Sequence, residues 1–61
     1  MNMATANTYA NEIKRCDDFL ASLAEFVAVN GETEQTIALR EQWENERKVW
    51  QFGYDELVKE N

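Results

Sequence analysis

The stretch Phe26-Val27-Ala28-Val29-Asn30-Gly31-Glu32-Thr33-Glu34-Gln35 decides how this chain folds. Asn-Gly between apolar runs is the strongest short signal for a β-hairpin, because both residues accept the positive φ of a tight turn. The flanks do not fit that turn. Residues 26–29 are apolar without alternation and residues 32–35 are polar, so neither side presents one face to a core. Asn-Gly also stops helices, with glycine taking the left-handed conformation just past the last turn. Thr33 then caps a second helix, and Glu34 sits favourably in its first turn. The stretch predicts a turn over 30–33 between two helices.

Upstream, Tyr9, Ile13, Cys16, Leu20, Leu23 and Val27 recur at alternating spacings of four and three. That is the stripe of an amphipathic helix in near-heptad form. Helix 1 is expected over about 8–29, with Asn7 or Thr8 as its cap. Downstream, Thr36, Leu39, Trp43, Trp50, Tyr54 and Leu57 form the stripe of helix 2, expected over about 34–59. On its surface, Glu44–Lys48 and Asp55–Lys59 place the acid four residues before the base, the favourable order. Proline is absent, and Gly53 is the one glycine inside either helix. It costs about 1 kcal/mol relative to alanine and either kinks or ends helix 2, which leaves residues 54–61 undecided.

Folding the chain about Gly31 sets Val27 against Thr36, Leu23 against Leu39 and Leu20 against Trp43. Ile13 then meets Trp50, Tyr9 meets Tyr54, and Ala6 meets Leu57. Large residues tend to face smaller ones, as close helix packing requires. Cys16 falls opposite Glu46 and Arg47, and this layer reads as the weakest. The predicted fold is all-α, an antiparallel two-helix hairpin forming one domain over 1–61.

The stripe is wider than one partner covers. Phe19 and Phe26, seven residues apart, flank the central row of helix 1 and widen its apolar face to roughly 140–160°. Helix 2 carries Ile37, Val49 and Phe52 off its own stripe. Contiguous apolar patches are generally limited on monomers, so these five residues are expected to meet another chain. A two-fold pair of hairpins, closing into a four-helix bundle, is the commonest solution, and a foreign protein could use the same patch.

Size points the same way. A chain of 61 residues buries only about 60% of the surface its unfolded form exposes, and small folds usually need a staple. One cysteine forms no internal disulfide, and without histidine there is no Cys/His metal site. Regular helix packing and self-association are what is left. A hydrophobic fraction of 44% with seven aromatic residues argues against a disordered acidic tail. No export signal or membrane-spanning run is expected, and a lone cysteine suits a reducing cytoplasm.

No residue pattern calls for catalysis. Cys16 reads as a small buried hydrophobe, because Asp17 and Asp18 offset the cations Lys14 and Arg15 that could activate it. Glu41, Glu44, Glu46, Asp17 and Asp18 read as solvated helix faces; a ferritin-type di-metal site needs histidine, and an EF-hand loop is absent. A two-helix hairpin hardly forms the concave pocket that paired carboxylates would need. The chain is expected not to be an enzyme and to hold no cofactor or metal.

Arg40 and Arg47 flank Trp43 and Trp50, with their stems packed over the indoles as the plainest reading. The short chain, mid-chain turn and two amphipathic helices resemble the repressor-of-primer proteins of plasmids. That resemblance is architectural, covers most of the chain and implies a dimeric four-helix bundle that binds paired RNA loops. No binding residue carries over. Short acidic chains of this kind also look similar to accessory proteins of bacteriophages and plasmids.

Three functions follow as expectations. The first is a regulatory or accessory protein acting by protein–protein contact. The second is nucleic-acid binding through Lys14, Arg15, Arg40, Arg47 and Lys48, gathered by dimerisation, against a net charge of −6 that repels nucleic acid at a distance. The third is mimicry of nucleic acid by the acidic face of helix 2, inhibiting a DNA-binding protein.

Overall fold

A computed structural model describes the backbone of residues 3–59 and the side chains of residues 5–59. It is a hairpin of two helices, α1 (Met3–Asn30) and α2 (Glu34–Lys59), with extents of 44 × 14 × 11 Å. Among the described residues there is no strand, and neither helix is long and apolar enough to cross a membrane.

The turn forms as its residues dictate. Gly31 has φ +88°, the left-handed conformation, and its N–H donates to the Val27 carbonyl at 2.8 Å. The Asn30 side-chain amide donates to the Phe26 carbonyl at 3.1 Å. Two of the carbonyls that a helix end leaves without partners are thereby satisfied. On the other side, the Thr36 N–H donates to the Thr33 hydroxyl at 3.2 Å, and the Thr33 N–H donates to the Thr36 hydroxyl at 2.8 Å. This is a reciprocal capping box in which threonine stands where glutamate or glutamine is usual. The Thr36 hydroxyl also donates to the Thr33 carbonyl at 2.9 Å, so this buried group is fully used. Glu34 in the first turn and Lys59 in the last both complement the dipole of α2.

α1 begins earlier than its periodicity suggests. Asn7 and Thr8, expected as caps, lie inside the helix, which runs from Met3. α2 also passes through Gly53 without a break and continues to Lys59; residues 60 and 61 lie outside the described residues. The reason is packing. A Cβ at position 53 would collide with the ring of Tyr9, so glycine lets that ring lie against α2. Tyr9 then meets Trp50 edge-on, with centroids 5.2 Å apart and planes at 87°.

The core is thin. Its buried apolar members are Ala6, Cys16 and Leu23, and Cys16 is the one large enough side chain to be fully enclosed, at 0% exposure. Tyr9, Ile13, Leu20, Val27, Trp43, Trp50, Tyr54 and Leu57 are half-buried along the seam. Leu39, expected in the core, is 38% exposed, because the narrow Thr36 capping box rather than Leu39 fills the contact near the turn. The Cys16 layer, expected to be the weakest, holds the most enclosed side chain. Beside it Arg47 bridges to Asp17 on the other helix, at 2.5 Å from Nε and 3.4 Å from Nη2.

Candidate interaction surface

The two long sides of the hairpin differ in chemistry. On one, Phe19 stacks on Trp43 across the seam, with centroids 4.3 Å apart and planes 22° from parallel. Such a pair contributes about 0.5–1.5 kcal/mol beyond its buried area. Residues three, four and seven apart share a helix face. Phe26 therefore continues the Phe19 row on α1, and Leu39 and Trp50 continue the Trp43 row on α2. Together these form an aromatic side running from near the turn towards the open end. Asp17 is two residues before Phe19, about 200° round α1, so its bridge to Arg47 lies on the opposite side.

The sequence-predicted surface residues divide accordingly. Phe19 is half-buried against Trp43, so it belongs as much to the hairpin as to any partner surface. Phe26 is 53% exposed on the aromatic side. Ile37 is exposed but stands about 120° from Trp43 round α2, off that side. Val49 and Phe52, 69% and 67% exposed, lie further round α2. Phe52 is nine residues from Trp43, about two and a half turns, and so faces outward. The five residues do not make one patch. Val29, Leu39 and Val58 add exposed apolar surface that the spacing argument passed over. A wheel centred on Cys16 rather than on the Leu20–Val27 row would have placed Phe26 and Val29 correctly.

Towards the open end, Tyr9, Glu46, Val49, Trp50, Phe52 and Gly53 line a shallow groove of about 320 Å³. A notch of about 120 Å³ adjoins it, lined by Gln42, Trp43 and Glu46. Glu46 is common to both.

The charged groups are largely occupied with one another. Lys14 meets Asp18 at 3.3 Å, Arg15 meets Glu12 at 2.9 Å, Arg40 meets Glu32 beside the turn, and Arg47 meets Asp17. Thus four of the five cations expected to gather for nucleic acid are each engaged by a carboxylate. The expected Glu44–Lys48 and Asp55–Lys59 pairs are not among the ion pairs of the described residues; Asp55 accepts instead from the Gln51 amide at 2.9 Å. No group of three or more potential metal ligands occurs among the described residues.

Burial, and then the charge of Glu46, hold the Cys16 thiol above its ordinary value of 9.0. The neighbouring Arg15 opposes this more weakly. A thiol so enclosed and protonated is a poor nucleophile and a good filler of the seam. Comparison with known protein families, curated proteins and solved structures returned no match to this chain.

Proposed function

We propose that this chain acts by protein–protein contact, as a non-enzymatic hairpin that pairs with a second copy through its aromatic side to close a four-helix bundle. What supports this reading is the area left uncovered. The hairpin exposes 4651 Å², against about 4100 Å² for a compact monomer of 7.1 kDa. Its radius of gyration is 14.1 Å, against about 10.5 Å for a compact chain of this length. Bringing two hairpins to the compact value would hide about 1,100 Å² between them, enough for a specific interface. Phe26, Leu39 and the Phe19–Trp43 stack are the apolar surface suited to be hidden.

The nucleic-acid alternative has less support, since its cations are mostly engaged by carboxylates. Mimicry draws on the outer row of α2, where Glu34, Glu41 and Asp55 share heptad spacing, but Lys48 falls in the same row. A regulatory or accessory role, and a phage or plasmid setting, follow from size and resemblance.

The deciding measurement is absolute mass by light scattering behind a sizing column, over a dilution series. A dimer should appear at micromolar concentration and dissociate on dilution, and Phe26→Glu should shift it to monomer while the helices persist. A folded wild-type monomer at every concentration would remove self-association from the proposal.

A further inference from the structure

We infer that the groove at the open end is a second docking site, and that its occupant is a cationic amphipathic helix of another protein. This deepens the reading of contact by protein surfaces, but it rests on a different face from the proposed dimer. The groove floor is apolar and shaped by one interaction already described: the Tyr9 ring against Gly53 leaves a recess between Trp50 and the outward-facing Val49 and Phe52. Two side chains of this size at 69% and 67% exposure give a partner apolar surface to cover. Because Phe52 faces away from Trp43, a bundle closed on the aromatic side leaves it open.

Charge selects the occupant. Glu46 lines the upper end of the groove, and Glu56, four residues past Phe52 and three past Gly53, lies at the lower end. Neither is ion-paired to a described residue, unlike the carboxylates at 12, 17, 18 and 32. An apolar recess between two unneutralised carboxylates suits a large apolar side chain flanked by lysine or arginine. The carboxylates are ten residues apart, about 15 Å along α2. A helix lying alongside meets both if its cations are about ten residues apart with the apolar anchor midway. A second copy is the poorer occupant, because each hairpin would bring a net charge of −6.

The test uses the full chain and two synthetic helical peptides that share one leucine stripe, one flanked by lysines and the other by glutamates. Backbone amide signals and Trp50 emission are followed during titration, after concentration of the protein alone has been checked. The lysine peptide should shift the signals of Val49, Phe52 and Gly53 saturably. Its dissociation constant should rise several-fold in Glu46→Gln and again in Glu56→Gln, and steeply with salt as exposed charges are screened. Both substitutions are on exposed carboxylates, and Phe52→Ser, also exposed, should abolish binding with helicity intact. The inference is overturned by no binding, by equal binding of the glutamate peptide, or by shifts confined to Phe19, Phe26 and Trp43. It is equally overturned if concentrating the protein alone shifts Val49 and Phe52, since the second copy is then the occupant. The dimer proposal stands or falls separately, on Phe26→Glu.

Discussion

The ring of Tyr9 occupies the space that a side chain at residue 53 would need, so the glycine inside α2 is a contact of the tertiary structure and not a flaw in the helix. Two effects then oppose each other in Gly53→Ala. Alanine gains about 1 kcal/mol of helix propensity, while forcing a methyl group against a packed ring costs about 1–3 kcal/mol. The variant should be less stable by about 1 kcal/mol, lowering Tm by about 4–8 °C in a domain this small. In a Tyr9→Ala background the clash is gone, and the same substitution should become stabilising. Thermal melts of the four proteins complete the cycle, and a destabilising Gly53→Ala in both backgrounds would contradict the contact.

The seal around Cys16 makes stability depend on alkaline pH. The folded chain holds the thiol proton more tightly than the unfolded one, because burial and Glu46 raise its pKa. Stability from this source is full below the ordinary thiol value of 9.0 and declines as pH rises beyond it, since the thiolate favours the unfolded chain. Denaturant midpoints of wild type should therefore fall above that pH more than those of Cys16→Ala. Parallel curves would show that the thiol is not sealed in solution.

The turn should be sensitive at three positions. Thr33→Ala removes the N-cap and should cost about 1 kcal/mol. Thr36→Val keeps the shape but leaves the Thr33 N–H without its acceptor, for a similar loss. The two share one network, so the double variant should lose less than the sum. Gly31→Ala, forced into φ +88°, should cost about 1–2 kcal/mol. Denaturant titrations measure all four.

The Asp17–Arg47 bridge is partly exposed, at 50% and 37% of the side chains, so its contribution should be small. A double-mutant cycle with Asp17→Asn and Arg47→Gln should give a coupling of about 0.2–1 kcal/mol. In 1 M salt the coupling should largely vanish. A large, salt-independent value would mean that the bridge is far better desolvated than its exposure indicates.

What the sequence revealed and what it hid divide along a physical line. The turn was legible because Asn30, Gly31 and Thr33 act through bonds to their own neighbours. The register was legible because two periodic stripes can meet in few ways, and Phe19 on Trp43 and Tyr9 on Gly53 follow it closely. The start of α1 was missed because a helix can run past a good capping residue when nothing stops it, as it does through Asn7 and Thr8. Gly53 was misread because its partner is forty-four residues away. Phe19 was assigned outward because the spacing of α1 alone does not show that Trp43 leans towards it. Leu39 was assigned inward for the converse reason. Whether the groove binds anything was never written in the periodicity, since it arises from the Tyr9–Gly53 contact.

The Thr33–Thr36 box and the Tyr9 layer sit at opposite ends of a single seam, which has a consequence for how the molecule opens. Each successive layer closes a longer loop, but loop entropy grows slowly: going from the Phe19 layer to the Tyr9 layer does not double the loop and costs less than about 0.6 kcal/mol. The chain should therefore zip from the turn outward and unzip from the far end inward. Amide hydrogens in residues 5–10 and 54–59 should exchange first, and those around Leu23 and Thr36 last. Tyr9 would leave Gly53 before any other layer parts, so the groove is the first part of the surface lost to fraying, and whatever binds there would slow exchange along the whole hairpin.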